Sequence, residues 1–195
     1  MQNILTNRIE KIGLYDFSLP SALRIVLFLT FTALAGQLAV YLPFTPVPVT
    51  MQTLFVVLAG MVLGPRDGFY AMAGYLALGF SGVPVFAGFS FGPAALLGPT
   101  GGFLIAFPVG ALIAGLISSK MREGILSAAL SAAAGISVIL AMGTVSLALL
   151  AGISIQQSAS LAVLPFIPGE IVKIVLAAII IRPGSSFRQI STWRL

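Results

Sequence analysis

Three long stretches of the sequence contain no charged residue: 25–65, 68–119 and 124–169. Each is at least twice as long as the roughly 20 apolar residues that one helical membrane crossing requires. Only 8% of all residues are charged and the mean hydropathy is +1.10, so the chain has too few charged groups for an ordinary water-soluble surface. We therefore predict an integral membrane protein in which each uncharged stretch forms a hairpin of two crossings.

Turn-forming residues divide each uncharged stretch near its middle. The segment 43–48 is rich in Pro, the segment 81–102 is rich in Gly and Pro, and 156–158 is a polar interruption, Gln-Gln-Ser. The second and third crossings are short, which favours helices that end below the membrane surface and leave a cavity above them. The predicted fold class is all-α, a polytopic bundle of six transmembrane helices over 22–42, 49–63, 69–82, 99–117, 125–150 and 161–181.

The grouping of the charged residues predicts the orientation. They occur before the first stretch, at 66–67, at 120–123 and after residue 181, and a bundle of three hairpins brings all these groups to one side. All but one of the ten Lys and Arg residues lie there, and Lys and Arg are enriched on the cytoplasmic side of membranes. We predict an N-in/C-in topology with a cytoplasmic or interfacial segment over 1–20, a membrane domain over 21–182 and a cytoplasmic tail over 183–195, and we expect no cleaved signal peptide.

The residue types that the chain lacks argue against several kinds of chemistry. It has no Cys and no His, which removes thiolate nucleophiles, disulfides and the commonest metal ligand. No G-x-x-x-x-G-K-[ST] motif occurs, so any ATP hydrolysis would come from another chain. We expect no catalytic residue, no metal, no cofactor and no nucleic-acid partner; the net charge of +5 reflects topology.

Glu170 and Lys173 are the one ionisable pair inside a predicted crossing. A charge within the bilayer costs at least roughly 2.5–3.5 kcal/mol, so such residues generally face a cavity or a partner. Pro168 and Gly169 precede them, which puts Glu170 in the first turn of the ordered helix and Lys173 on the same face. An ion pair that merely neutralises itself would not account for this helix break. We predict that both side chains contact a small polar ligand.

Two outer loops, 83–92 and 97–103, supply further candidate ligand contacts. Their glycines allow a backbone to approach a ligand closely, and their phenylalanines offer flat apolar walls. Close packing of helices through small residues would explain the same glycines equally well. The candidate contacts are Phe86, Gly88, Ser90, Thr100 and Gly101.

The proline-rich turn 43–48 is followed by polar side chains at the top of the second crossing, among them Gln52. We predict that Gln52 contacts the ligand and that the turn is a lid over it; a rigid connector is the alternative. In the first crossing, Ala35 and Ala39 have the spacing of a small-x-x-x-small face, which suits contact with another subunit or packing within the chain.

Five segments resemble, in the same order, the motifs of the BioY family. They are FTPVPVTMQTL at 44–54, GPR at 64–66, GVPVFAG at 82–88, LGPTGGF at 97–103 and PFIPGEIVK at 165–173. The likeness extends from about residue 22 to residue 181.

The resemblance implies a biotin-specific substrate-binding (S) component of an energy-coupling factor (ECF) transporter. Such a protein has six membrane helices, captures biotin outside the plasma membrane, joins a coupling protein and two ATPases, and is thought to topple in the bilayer. The resemblance also implies that the first outer loop, 43–49, covers the vitamin and that the alanine face docks on the coupling subunit. Glu170 stands where the family more often has Asp, which keeps the charge and adds a methylene.

Three other functions remain open from the sequence. The chain is alternatively an S component for a different vitamin, an intramembrane enzyme that uses Glu170 as an acid or base, or a structural subunit without a ligand. Biotin suits the predicted site because its ureido ring carries N–H donors and an acceptor, while its tail ends in a carboxylate. Lys173 is able to bind either the ureido oxygen or that carboxylate.

Overall fold

The computed structural model describes residues 20–122 and 124–181. The predicted terminal segments 1–20 and 183–195 therefore lie outside the described residues, apart from residue 20. Within the described ranges the chain forms eight α-helices, one 3₁₀ helix and one two-stranded antiparallel sheet. In chain order the elements are α1 Ser21–Gln37, β1 Ala39–Val40, β2 Val49–Thr50, α2 Gln52–Leu63, α3 Pro65–Phe80, the 3₁₀ helix Ala87–Phe89, α4 Gly92–Leu96, α5 Gly101–Lys120, α6 Ile125–Ala151, α7 Ile155–Ala162 and α8 Ile167–Ile180.

The longest helices have the length and apolar composition of membrane spans. In the described part of the chain, α5 and α6 each suffice to cross a membrane, and α7 with α8 forms a third candidate that bends by 59°. The helices α1 and α2 are also apolar but have only 17 and 12 residues. The molecule is a helical membrane protein; its predicted six crossings and N-in/C-in orientation stay predictions.

The first predicted crossing ends earlier than hydropathy indicates. Helix α1 stops at Gln37, and Ala39–Val40 pairs in antiparallel fashion with Val49–Thr50. The predicted all-α fold class agrees with a mostly helical chain, to which the structure adds one short β-hairpin that hydropathy does not predict. The two strands flank the proline-rich turn, whose prolines have no backbone N–H for a continuing helix.

The third predicted turn is displaced toward the N-terminus. Ser154 caps α7 by accepting a hydrogen bond from the backbone N–H of Gln157, and the Gln157 side chain accepts one from the Ser154 backbone N–H in return. This capping box starts a helix, so 156–158 is helical and the chain reverses at 152–154. The predicted sixth crossing is accordingly two helices with a break at 163–166.

Helices α2 and α5 pack backbone to backbone at the centre of the bundle. A Cβ atom on Gly60 would collide with the carbonyl oxygen of Ala111, so only glycine allows this approach. A Cβ on Gly115 would lie 2.8 Å from the Cα of Pro65, which brings the α2–α3 turn against the same helix. The two helices leave no space between them at these glycines. The cavity lies toward the N-terminal ends of α2 and α5.

The structure does not support the predicted docking face of Ala35 and Ala39. Ala35 is buried within the chain, with 2% of its surface exposed, and Ala39 belongs to β1 rather than to α1. The two residues have helical spacing in the sequence, but the helix ends between them. They consequently do not form one helical face that a partner could contact.

Candidate functional site

A cavity of about 380 Å³ lies among the starts of α2, α5 and α8, the middle of α6, the proline-rich turn at 46–48 and the connection between α3 and α5. Its volume is typical of small-molecule sites, which span roughly 300–1,000 Å³. Most of the lining is apolar, and polar side chains converge from α2 and α8. The residues that frame it include Val47, Gln52, Thr53, Phe86, Gly88, Ser90, Thr100, Phe103, Phe107, Ile139, Leu140, Phe166, Glu170 and Lys173.

Glu170, Lys173 and Thr53 form a buried polar cluster at the cavity wall. The Nζ atom of Lys173 lies 2.6 Å from Oε1 of Glu170, and the two residues are 2% and 4% exposed. The Thr53 hydroxyl donates to Oε2 of Glu170 at 2.9 Å and accepts from Lys173 Nζ at 2.9 Å. Glu170 and Thr53 thus take up two of the three N–H donors of the ammonium group, and the third is available to a group in the cavity.

The start of α8 explains why the acid and the base meet here. Pro168 lies in the first turn, where its missing N–H costs no helical hydrogen bond. Glu170 follows in the same turn, where the helix dipole favours a carboxylate. Lys173 is three residues further on, so both side chains project from one face of α8.

A second chain of hydrogen bonds runs from the β-hairpin, through Gln52 at the cavity wall, to the loop after α3. Thr50 donates to Oε1 of Gln52, and Nε2 of Gln52 donates to the hydroxyl of Tyr75. The Tyr75 hydroxyl in turn donates to the carbonyl oxygen of Val85 at 3.0 Å. Gln52 therefore presents a fixed amide to the cavity, and its position depends on a tyrosine that does not line the cavity.

The segment 85–90 forms one wall of the cavity in a tight, partly left-handed conformation. Gly88 has φ 63° and Phe89 has φ 58°, a region that side-chain-bearing residues seldom adopt. The Phe86 ring is buried and lies edge-on to Tyr75, with ring centroids 5.4 Å apart. The backbone N–H of Phe86 donates a hydrogen bond to the carbonyl oxygen of Ser90, which closes the loop.

The structure brings together seven of the eight residues that the sequence singles out as ligand contacts. All seven line the cavity, and they come from four separate parts of the chain. Gly101 does not: it starts α5 and packs against the backbone of Leu96. That these residues bind a ligand remains a prediction. The seven are Gln52, Phe86, Gly88, Ser90, Thr100, Glu170 and Lys173.

Sequence reasoning missed Thr53 and Tyr75 as parts of the site, and it missed Gln37, whose amide bonds to the backbone of Phe86 and Phe89. Thr53 was visible only as one of several polar residues beside Gln52, and its bonds to Glu170 and Lys173 join positions 117 and 120 residues apart. Tyr75 carries no sequence signal beyond a hydroxyl within an apolar helix. Its significance comes from the two partners that the fold gives it.

Apolar helices around a cavity with a buried acid–base pair at one wall define a membrane protein that holds a small polar solute. The chain belongs to the BioY family, whose family model matches residues 9–189. This match confirms the resemblance carried by the five sequence motifs.

Individual relatives agree with the family match. The chain is 45% identical over 156 residues to the probable biotin transporter BioY of Pyrococcus horikoshii, covering 80% of this chain and 90% of that protein. It is 40% identical over 139 residues to the biotin transporter BioY of Thermotoga maritima, covering 71% and 81% respectively. A crystal structure of the S-component for biotin from an ECF-type ABC transporter aligns with a TM-score of 0.78 at 26% identity, over 89% of this chain and 92% of that one.

Proposed function

We propose that this chain binds biotin in the cavity beside Glu170 and Lys173 and delivers it across the membrane as the S component of an ECF-type transporter. The observation that carries the proposal is the buried cluster of Glu170, Lys173 and Thr53 at the wall of a largely apolar cavity. Family membership and relatives named as biotin transporters support the same ligand. The chain is thus a transport protein rather than an enzyme.

The chemistry of the cavity suits both halves of biotin. A carboxylate accepts N–H groups and an ammonium donates to an oxygen, which matches the complementary groups of a ureido ring. Phe86, Phe103 and Phe107 supply apolar surface for the sulfur-containing ring and the aliphatic tail. Lys173 is also a suitable partner for the tail carboxylate, so the orientation of the vitamin has two candidate solutions.

Energy for uptake comes, in this proposal, from partner subunits. The chain has no phosphate-binding loop, and an S component joins a transmembrane coupling protein and two ATPases. We place the protein in the plasma membrane, with the cavity toward the outside and the β-hairpin as its cover: residues 46–48 line the cavity, and Val47 is buried. Delivery then requires that the outer end tilt into the bilayer.

The test of the ligand is direct binding to the purified protein. Mass spectrometry of the ligand retained through purification, and binding of labelled biotin in detergent, should both identify biotin. Excess unlabelled biotin should displace the label, whereas thiamine and riboflavin should not. Displacement by one of those vitamins would instead assign an S component of different specificity, and the absence of any bound vitamin would favour a structural subunit.

The proposed six crossings and N-in/C-in orientation are testable without background labelling, because the chain has no native Cys. Gln156→Cys on α7 and Ser119→Cys near the end of α5 are exposed positions at predicted opposite sides. In intact cells a membrane-impermeant maleimide should label residue 156 at once and residue 119 only after permeabilisation. The reverse pattern would invert the topology, and equal labelling of both would contradict a membrane-crossing path between them.

A further inference from the structure

One wall of the cavity is a loop that combines few internal hydrogen bonds with an unfavourable backbone conformation. Residues 86, 87, 88 and 90 face the cavity, yet the loop contains two consecutive left-handed residues, Gly88 and Phe89. Phe89 is 66% exposed and has no buried side chain to fix it. A non-glycine residue at positive φ persists only where its surroundings hold it there. Two side chains that do not line the cavity provide that restraint.

The first of these side chains is Tyr75 of α3, which is fully buried. Its hydroxyl donates to the carbonyl oxygen of Val85, at the first residue of the loop, and accepts a hydrogen bond from the amide of Gln52. Its ring lies between Phe86, edge-on at 5.4 Å, and Phe107, stacked at 6.0 Å. A single hydroxyl therefore connects the Gln52 amide, which lines the cavity, to the backbone at the start of the loop.

The second side chain is Gln37, the last residue of α1. Its amide nitrogen donates to the carbonyl oxygen of Phe86 at 3.1 Å, and its amide oxygen accepts from the backbone N–H of Phe89 at 3.0 Å. These two contacts bracket the left-handed turn at Gly88. The amide thus satisfies one backbone acceptor and one backbone donor of the loop, and it holds the two sides of the turn at a fixed distance.

We propose that Tyr75 and Gln37 are positioning residues that hold the loop 85–90 as the ligand-contacting wall, with Tyr75 also orienting Gln52. Neither residue lines the cavity; both act through groups that do. Without them the loop samples several conformations, and the binding free energy of a ligand is reduced by the cost of ordering the loop. Because this inference rests on the proposed function, its tests include a measurement that needs no ligand.

The affinity test uses two matched tyrosine variants of α3. Tyr75→Phe removes one buried hydroxyl and keeps the ring, while Tyr70→Phe makes the same change at a position that is 61% exposed. Tyr75→Phe should weaken biotin binding about tenfold, because the two hydrogen bonds of the hydroxyl no longer fix the wall and Gln52. Tyr70→Phe should leave the affinity unchanged. Equal affinity in both variants and the unchanged protein would overturn the role of Tyr75.

The ligand-free test is hydrogen–deuterium exchange of the peptides that cover 83–92. Tyr75 bonds to a carbonyl oxygen and not to an amide of this segment, so Tyr75→Phe exposes no N–H directly. Faster exchange of these amides would therefore report motion of the loop. We expect that increase to be confined to the loop and to be reversed by saturating biotin. Unchanged exchange, or a rise shared by all helices, would refute positioning.

Gln37→Met tests the second restraint, with Gln156→Met on exposed α7 as its control. Gln37→Met keeps the length of the side chain and removes both amide contacts, and we expect a loss of affinity of about tenfold. The double variant Tyr75→Phe/Gln37→Met should lose less than the product of the single losses, because either change alone already releases the same loop. If the two single losses of affinity multiply fully in the double variant, the two residues do not act on the same loop, which would contradict the proposal.

These outcomes separate the present inference from the proposed function. If the unchanged protein fails to bind biotin, the proposed function is wrong, and the exchange measurement still decides whether Tyr75 and Gln37 fix the loop. If the unchanged protein binds biotin and both variants match it, the proposed function stands and the positioning role is wrong.

Discussion

Thr53 is the residue through which the acid–base pair is joined to a second helix. Glu170 and Lys173 both belong to α8, so a bond between them alone does not fix α8 relative to the rest of the cavity. The hydroxyl of Thr53, in α2, bonds to both. Removing Glu170 or Lys173 alone leaves an uncompensated buried charge, which costs far more than the ion pair contributes to stability.

Lys173→Met should separate the stability of this cluster from its binding role. It leaves Glu170 buried without its cation, so we expect a loss of about 3–5 kcal/mol in the free energy of unfolding and, if the protein folds, a biotin affinity lower by about 30-fold or more. The double variant Glu170→Gln/Lys173→Met should recover much of the stability and none of the affinity. Thermal unfolding and labelled-biotin binding measure the two quantities.

A control for this experiment is Lys120→Met at the exposed end of α5, which should change neither quantity. Normal biotin affinity in the double variant would contradict the assignment of Glu170 and Lys173 to the ligand.

Thr53→Val tests the connection between the helices with almost no change of volume. The valine cannot donate to Glu170 or accept from Lys173, so stability should fall by about 1–3 kcal/mol, and biotin affinity should fall with it because the charged groups lose their orientation. Thr53→Ser keeps the hydroxyl and should behave nearly as the unchanged protein. An equal loss in Thr53→Ser and Thr53→Val would attribute the effect to packing of the methyl group instead.

The sequence predicts the charged residues of this site better than its neutral ones, for a physical reason. Glu170 and Lys173 are conspicuous because charges within apolar helices are costly. Thr53, Tyr75 and Gln37 are not conspicuous, since a lone hydroxyl or amide is tolerated at many positions of a membrane helix. Their importance depends on which distant groups the fold brings within hydrogen-bond distance, and neither spacing nor composition encodes that.

At the scale of elements, hydropathy predicts where apolar helices lie but not where they end. The fourth and fifth predicted crossings, 99–117 and 125–150, agree with α5 and α6. The first ends early, because local strand pairing of Ala39–Val40 competes successfully with helix continuation. The sequence contains the capping box of Ser154 and Gln157, but the prediction of a turn at 156–158 treats these polar residues only as a helix break. Boundaries thus follow from local hydrogen bonding rather than from average apolarity.

Gly60→Ala tests the close packing of α2 on α5. The added methyl group would collide with the carbonyl oxygen of Ala111, a backbone atom that cannot move independently, so we expect a destabilisation of about 1–3 kcal/mol or more. Gly74→Ala in α3 is the matched control, because its Cβ would approach only a side-chain carbon of Leu29, at 3.4 Å. That change should be neutral or slightly stabilising. Equal thermal stability of the two variants would contradict the backbone contact.

At the scale of the whole molecule, the charged side chains outside the cavity are grouped away from the end of the bundle that holds the cavity. Among the described residues, the connections at the cavity end carry no charged side chain, and Glu170 and Lys173 neutralise each other at the cavity wall. The proposed reorientation through hydrocarbon requires such an end without free charge, because each unpaired charge would add a few kcal/mol to the barrier. The remaining charged side chains of the described residues are Arg24, Arg66, Asp67, Lys120 and Arg122.

Gln156→Lys therefore tests whether the outer end enters the bilayer during transport. Residue 156 is exposed on α7 and does not line the cavity, so biotin affinity in detergent should not change. Uptake by the assembled transporter should slow by about 100-fold or more, the kinetic equivalent of roughly 2.5–3.5 kcal/mol for one lysine in hydrocarbon. The controls are Gln156→Asn, which adds no charge, and Ser119→Lys, which adds one at the predicted cytoplasmic end; both should transport normally. Normal uptake by Gln156→Lys would mean that this end stays in water and that biotin is released inward by some other motion.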